Sequence, residues 1–321
     1  MALHCPFSIT EWIRSLLPDR IVEGSSAETE NLLRELASLS QLGLLQWNIH
    51  AECFRACDKT SQHCDAAYPS CQENGTSLLH SLLADRDFAG LEHFDRSLAL
   101  PDGFDQVQHS CGGAKGFDYP FDLARLVFSS RWRVKRVKGK ALPPMGGCME
   151  KVGNETEDYR AFVGQAFVHE SGFEVLVVAA HFPHPHGAGD LQILRDALAR
   201  FKAQTQLDQV LLLADTNEFR SNAEIMGDVD PSARTVTGSD SHITCCYPNY
   251  LYPFDRIIAS NFPGAEVRTT LPFGAEREHR VPQWAALNMH DPVLTELYLR
   301  SGGRRGQLCM TLLCLLWFFR R

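Results

Sequence analysis

Short apolar runs separated by polar, turn-forming stretches make up most of the chain, and no single periodicity persists. Near the N-terminus two segments show helical spacing. Thr10 stands before Glu11–Leu17, and Ser26 stands before Glu28–Leu39, where Leu32, Leu33, Leu36 and Leu39 share one face. They predict a helical extension over residues 1–40. Leu42–Ile49 (LGLLQWNI) then reads as a buried strand, Ala51–Gly75 as a loop, Ser77–Leu83 as a helix and Phe88–Glu92 as a short strand. Leu123–Ser129 is a further strand. Residues 131–140, RWRVKRVKGK, alternate basic and non-basic positions and suit a half-exposed strand ending at Gly139. Ala161–Val168 and Phe173–Ala180 form a predicted hairpin around Glu170-Ser171-Gly172. Leu191–Lys202 is amphipathic helix, and Gln209–Ala214, Arg256–Ala259 and Val293–Leu299 are strands. Irregular alternation with hairpins predicts one α/β (α+β) layered domain with mixed sheets over residues 41–300, rather than a regular βαβ barrel.

Composition narrows the class. Of 321 residues, 44% are hydrophobic and 22% charged, which excludes disordered and collagen-like chains. The net charge of −8 argues against a non-specific coat for nucleic acid, while leaving room for a local basic groove. The run Arg131, Arg133, Lys135, Arg136, Lys138 and Lys140 reads in two ways: as a grip on a polyanion, or as a solvated edge strand protected by charge.

No stretch reaches the roughly 18 apolar residues of a membrane span, and the N-terminus lacks the basic start and apolar core of a secretory signal. A cytoplasmic or nuclear protein is expected, with its eleven cysteines mainly as thiols. Cys53, Cys57, Cys64 and Cys71 crowd one segment with His50 and His63, without the paired spacing of common zinc sites; zinc or disulfides stand behind free thiols there. In the 301–321 tail, apolar Leu308–Phe319 is flanked by Arg304-Arg305 and Arg320-Arg321, and a loosely packed tail is favoured over a membrane anchor.

The chemistry concentrates just after apolar strands, where α/β sheets build ligand sites. Asn48 offers a carbonyl oxygen suited to a hard cation, and Glu92 a carboxylate; together they suit Mg²⁺. His181 ends the run EVLVVAAH. The prolines around it splay His181, His184 and His186, which argues against a zinc site. Asp215 and Asn217 end QVLLLADTN, placing two polar side chains on one side of a strand end, where Asp activates a water and the Asn amide donates to a developing phosphorane. Asp255 and His290 suit an acid–imidazole dyad. Singly, each also reads as an ordinary strand end, solvated acid or Asx turn.

In order, the motifs WNI, GLE, AAHF, ADTNEF, PFDRIIAS and MHDPV, spread over about residues 42–299, resemble the endonuclease/exonuclease/phosphatase superfamily. The resemblance implies a deoxyribonuclease-I-like, four-layer α-β-β-α sandwich with two mixed sheets. It implies in-line attack of water on a phosphate ester, with Mg²⁺ (or Mn²⁺) as cofactor. Asn48 and Glu92 match metal ligands, Asp215 the residue that activates water, and Asn217 and His290 the groups that hold the phosphate. Asp255 matches the carboxylate that orients His290, and His181 a histidine near the leaving group. Asp122 is the nearest match to a further acid. The implied partner is a phosphate-ester substrate (nucleic acid, inositol phosphate or phospholipid); no protein partner is implied. The family frame Ser-Asp-His-x-Pro-Val reads here Asn288-Met289-His290-Asp291-Pro292-Val293, so Met289 replaces an aspartate that helps bind metal. Two alternatives stay open: a membrane-associated phosphoinositide or sphingomyelin phosphoesterase served by the tail, and a catalytically silent phosphate binder.

Overall fold

A computed structural model describes residues 41–48, 71–93, 98–112, 121–150, 159–184, 188–239, 242–245, 252–272 and 290–299. The expected 1–40 helices, His50, Cys53, Cys57, His63, Cys64, His186, Met289 and the 301–321 tail lie outside these residues.

In chain order the elements begin with β1 (Gln41–Asn48), α1 (Cys71–Leu83), β2 (Phe88–Glu92), β3 (Phe104–Gly112), β4 (Phe121–Ser129), β5 (Trp132–Val134), β6 (Arg136–Val137) and β7 (Lys140–Ala141). There follow β8 (Met145–Glu150), β9 (Tyr159–His169), β10 (Glu174–His181), α2 (Gln192–Thr205), β11 (Val210–Asp215) and α3 (Asn222–Val229). The last are β12 (Val236–Gly238), β13 (Asp255–Ser260), β14 (Glu266–Thr270) and β15 (Val293–Tyr298). One sheet runs β14-β15-β1-β2-β4-β3, and the other β12-β13-β11-β10-β9-β5 with β8 on β9. Each contains one parallel pair, β1 with β2 and β10 with β11, among antiparallel neighbours.

The apolar runs are long because both faces of these strands are covered. Along β10, Val175, Val177 and Ala179 enter the core between the sheets, while Leu176, Val178 and Ala180 face the cluster containing α2 and α3. Along β1, Leu42 and Leu44 enter the inter-sheet core, while Leu45 and Trp47 pack with Leu79 and Leu83 of α1. The layers are therefore α1, sheet, sheet, then α2 and α3, which is the four-layer sandwich. Leu194, Leu198, Phe201 and Thr205 give α2 its buried stripe, and Gln206 ends it in left-handed conformation with its N–H on the Lys202 carbonyl. A Ser221/Glu224 capping box starts α3. Among the described residues no helix is long and apolar enough to cross a membrane.

Several elements depart from expectation. The first helix begins at Cys71, so the end of the expected Ala51–Gly75 loop is helical. The expected strand over 131–140 is β5 followed by a tight β6–β7 hairpin, whose turn residues Lys138 and Gly139 both have positive φ, as a type I′ turn requires. Arg131 and Lys135 of the basic run do not reach the strand ends that carry Asn48, Glu92, His181 and Asp215. β5 pairs with the far end of β9, Trp132 opposite His169; Arg131 meets Asp87 before β2 at 3.0 Å, and Lys135 meets Glu174 at 2.5 Å. A polyanion grip at those strand ends is thereby ruled out for these two cations.

β3, β8, β14 and α3 were not expected from sequence. The glycines of β8 weaken its strand signature, yet they are needed: a Cβ on Gly146 would lie 2.9 Å from the His109 ring, and one on Gly147 2.8 Å from Phe162. Cys111 on β3 and Cys148 on β8 form a disulfide joining the two sheets, which corrects the reading of these two cysteines as thiols. Their separation of 37 residues carried no signal; strand register brings them together.

Candidate active site

The two parallel pairs end at the same place. Register sets Asn48 beside Glu92 at the end of β1/β2 and His181 beside Asp215 at the end of β10/β11. Asp255, first residue of β13, lies opposite Asp215. Across the seam between the sheets, Asn48 Nδ2 donates to Asp215 Oδ2 at 2.6 Å. His290 faces the same carboxylate, with Nε2 3.8 Å from Asp215 Oδ2, while its Nδ1 donates to Asp255 Oδ2 at 2.6 Å. His181 Nε2 is 3.5 Å from Asp215 Oδ2, and its Nδ1 donates to Asp122 Oδ1 at 2.9 Å. The sequence-derived residues Asn48, His181, Asp215, Asp255 and His290, all buried, thus form one connected cluster, with Glu92 buried beside Asn48.

Asn217 sits at the loop beyond β11 in left-handed conformation (φ 49°), which Asn tolerates better than most residues. Its backbone N–H donates to Asp215 Oδ1 at 3.1 Å and its Nδ2 to the Phe182 carbonyl at 2.9 Å. The loop is held from below. Thr216 bonds the Phe254 carbonyl, and buried Arg256 donates to the Glu218 and Pro253 carbonyls and to Asn222 Oδ1. His290 is placed by a bridge to Cys245, by the Thr244 carbonyl, which takes the Asp291 N–H, and by Trp47 Nε1, which donates to the His290 carbonyl.

Asp122, the nearest match to a further acid, lies buried beside His181. Its Oδ2 accepts the Ala161 N–H at 2.6 Å, from one sheet to the other, and Oδ1 also faces His93 and Arg160. Cys111 is the register partner of Asp122, and Cys148 is that of Ala161, so the disulfide and this hydrogen bond cross the seam at one level. Two residues were missed in the sequence. Gln46 Nε2 donates to Glu92 Oε2 at 2.6 Å, and a position two before Asn48 on the same strand face was the available signal. His93, next to Glu92, has φ 61° and sets its ring edge-on to His181 at 4.8 Å.

Four buried carboxylates share this region, and their protonation differs by surroundings. Burial raises Glu92 well above the ordinary carboxylate range, helped by Asp255 and Asp215 and opposed by Gln46. Burial also tends to raise Asp215, but His290, His181 and Asn48 overcome it and keep the group anionic. Asp122 is held low against its burial, chiefly by His181. Burial disfavours charge on His290, yet Asp255 and Asp215 hold its pKa up at about 9. Burial raises Asp255 despite His290, so the dyad keeps its proton tightly.

Asn48 Oδ1 and Glu92 Oε1, side by side on β1 and β2, are buried acceptors with no hydrogen-bond partner among the described residues. Two bare hard oxygens, one on a carboxylate whose charge is unfavourable as it stands, fit a hard divalent cation. His93, Asp122 and His181 also gather ligand atoms within 4.8 Å, but Asp122 already accepts from Ala161 and His181. His184 does not join His181: its Nδ1 faces the Asn217 carbonyl.

No family model matches the sequence, and no curated protein matches it. Solved structures do. An endonuclease/exonuclease/phosphatase protein from Bacteroides vulgatus is 14% identical with a TM-score of 0.54, over 81% of this chain and 100% of its own. A mannosyl-6-phosphatase from Bacteroides thetaiotaomicron is 16% identical with a TM-score of 0.54, over 80% and 99%. The human Nocturnin catalytic domain, solved with bound sulfate, is 14% identical with a TM-score of 0.54, over 80% and 93%. The chain has the deoxyribonuclease-I-like fold of these proteins, as its motif order implied.

Proposed function

We propose that the protein is a metal-dependent hydrolase of phosphate esters. The observation that carries this is the meeting of Asn48, Glu92, His181, Asp215, Asp255 and His290 at the seam, with the Asn48 and Glu92 oxygens bare beside anionic Asp215. Asn48 and Glu92 would hold the cation, Mg²⁺ or Mn²⁺. When bound, it supplies positive charge to the phosphate oxygens and the leaving oxygen. Asp215 orients the attacking water and takes its proton as the oxygen–phosphorus bond forms. His290, charged and steadied by Asp255, donates Nε2–H where negative charge grows on the phosphate, and Asn217 adds an amide. His181, fixed through Nδ1 by Asp122 and 3.5 Å from Asp215 through Nε2, serves the leaving oxygen, which departs with the electron pair of its broken bond to phosphorus.

The test is hydrolysis of bis-p-nitrophenyl phosphate and p-nitrophenyl phosphate with Mg²⁺, Mn²⁺ or EDTA, for the wild type and Asn217→Ala, with Mg²⁺ and Mn²⁺ binding by calorimetry for the wild type and Glu92→Gln. Metal-dependent turnover lost in Asn217→Ala, and metal binding weakened in Glu92→Gln, support the assignment. Metal binding without turnover of either ester would point instead to the silent phosphate binder that Met289 suggests.

A further inference from the structure

Among the described residues four large apolar side chains stand exposed: Ile193, Phe219, Ile243 and Tyr252. Three of them gather at the mouth of the site. Phe219, 64% exposed, lies two residues beyond Asn217. Tyr252 stacks on Phe254 with centroids 5.1 Å apart and planes 14° apart, and buried Phe254 directly precedes Asp255. Ile243 precedes Thr244, whose N–H donates to the Tyr252 carbonyl. The site holds this group from within, because Thr216 bonds the Phe254 carbonyl and His184 packs on Phe254 while facing the Asn217 carbonyl.

The rings form a corner. Tyr252 is the floor, backed by Phe254. Phe219 is the wall, 5.2 Å from Tyr252 at 85° and 5.3 Å from Phe254 at 70°. A floor and wall at right angles offer a flat aromatic guest one face-to-face and one edge-to-face contact, the two geometries that ring quadrupoles favour. A saturated sugar can lay its C–H face on the floor but has no ring quadrupole to match the wall, and an acyl chain gains nothing from the angle.

Among the described residues, the charges beside the corner argue for a small guest. Arg220, next to Phe219, is engaged by Glu218 and by Asp228 at 2.7 Å. Arg131 and Lys135 of the basic run belong to the opposite end of the sheets. A polymer track would need cations along its phosphates; ring stacking on one base does not.

We propose that Phe219 and Tyr252 form a base-binding corner, and that the ester processed here is nucleotide-sized, its phosphate at Asn217 and His290 and its nucleobase against the two rings. This rests on the hydrolase reading above.

The experiment compares thymidine 5′-(p-nitrophenyl phosphate) with methyl p-nitrophenyl phosphate, which share a leaving group and differ by the nucleoside. Wild type, Phe219→Ala and Phe219→Trp are assayed with Mg²⁺ or Mn²⁺, and thymidine 5′-monophosphate binding is followed by calorimetry in parallel. Stacking on one base predicts a wild-type KM five- to hundredfold lower for the thymidine ester. Phe219→Ala should abolish that advantage with kcat within about twofold, and Phe219→Trp should restore it. Equal KM values for the two esters in the wild type overturn the corner, as does a Phe219→Ala loss that affects both esters alike. If neither ester turns over, the hydrolase reading fails, and calorimetry still decides: nucleotide binding weakened fivefold or more in Phe219→Ala supports the corner, and unchanged or absent binding overturns it.

Discussion

His290 sets a pH dependence of stability that can be worked through. Its ring is buried, which disfavours charge, but Asp255 at 2.6 Å and Asp215 at 3.8 Å hold its pKa up at about 9. In the unfolded chain imidazole titrates near ~6.5. The gap between those values, at about 1.4 kcal/mol for each pH unit, amounts to about 3 kcal/mol. Because the folded value is the raised one, the native state binds the extra proton. The contribution is therefore fully present below pH ~6.5 and is lost as pH rises through about 9. Urea unfolding in EDTA at pH 6.5, 7.5, 8.5 and 9.5 isolates it by comparison with His290→Asn, whose amide keeps a donor but does not titrate. Thiols titrate in both proteins, and His109 and His169, lowered by burial, act below this window. The stability advantage of the wild type should shrink by about 3 kcal/mol between pH 6.5 and 9.5. Parallel curves across that range would refute the assignment of a charged, doubly opposed imidazole.

Other consequences can be measured directly. Asp215→Asn should lower hydrolysis of bis-p-nitrophenyl phosphate at least 100-fold, while calorimetry shows metal still bound. Gly90→Ala should cost about 1–3 kcal/mol in urea unfolding, since the new Cβ would lie 2.6 Å from Leu213 Cβ and from Gln46 Oε1 in the packed space between the sheets. Cys148→Ala should lose about 2–4 kcal/mol of stability relative to the oxidised wild type, the range for a closed loop of this size. Ser221→Ala should cost about 1 kcal/mol, because it removes the hydroxyl that accepts the Glu224 N–H at the start of α3 and leaves only the backbone half of the capping box.

The strands that carry the site were legible because they are buried on both faces. β10 and β11 read as unbroken apolar runs and β1 as one interrupted only by Gln46, and each ends at the polar residue that reaches the seam. Edge elements were not. β3 (FDQVQHSCG) and β14 (EVRTT) present polar side chains, and β8 (MGGCME) contains two glycines whose value lies in what they leave room for. The site residues Asn48, Glu92, Asp215, Asn217, Asp255 and His290 could be picked out by motif order. Gln46, His93 and Arg256 were not picked out, since their roles rest on long-range partners: Gln46 reaches a residue 46 positions away, and Arg256 bonds Asn222 from 34 positions away. The basic run, read either as a polyanion grip or as a charged edge strand, lies on the edge strand β5 and the hairpin after it. Strand pairing carries Arg131 and Lys135 to the opposite end of the sheets.

The doubled crossing at Asp122 and Cys111 has a mechanical meaning. A sandwich of two sheets is free in principle to shear, one leaf sliding along the other by a residue's length, because dispersion contacts alone resist weakly and without direction. Here a covalent rung and a charged rung stand at one level, Cys111–Cys148 beside Asp122–Ala161. They pin the leaves like a rivet close to the line where Asn48 meets Asp215. The spacing across that line is set when the chain folds, so under the proposed hydrolysis a phosphate would meet a frame that does not have to be assembled around it.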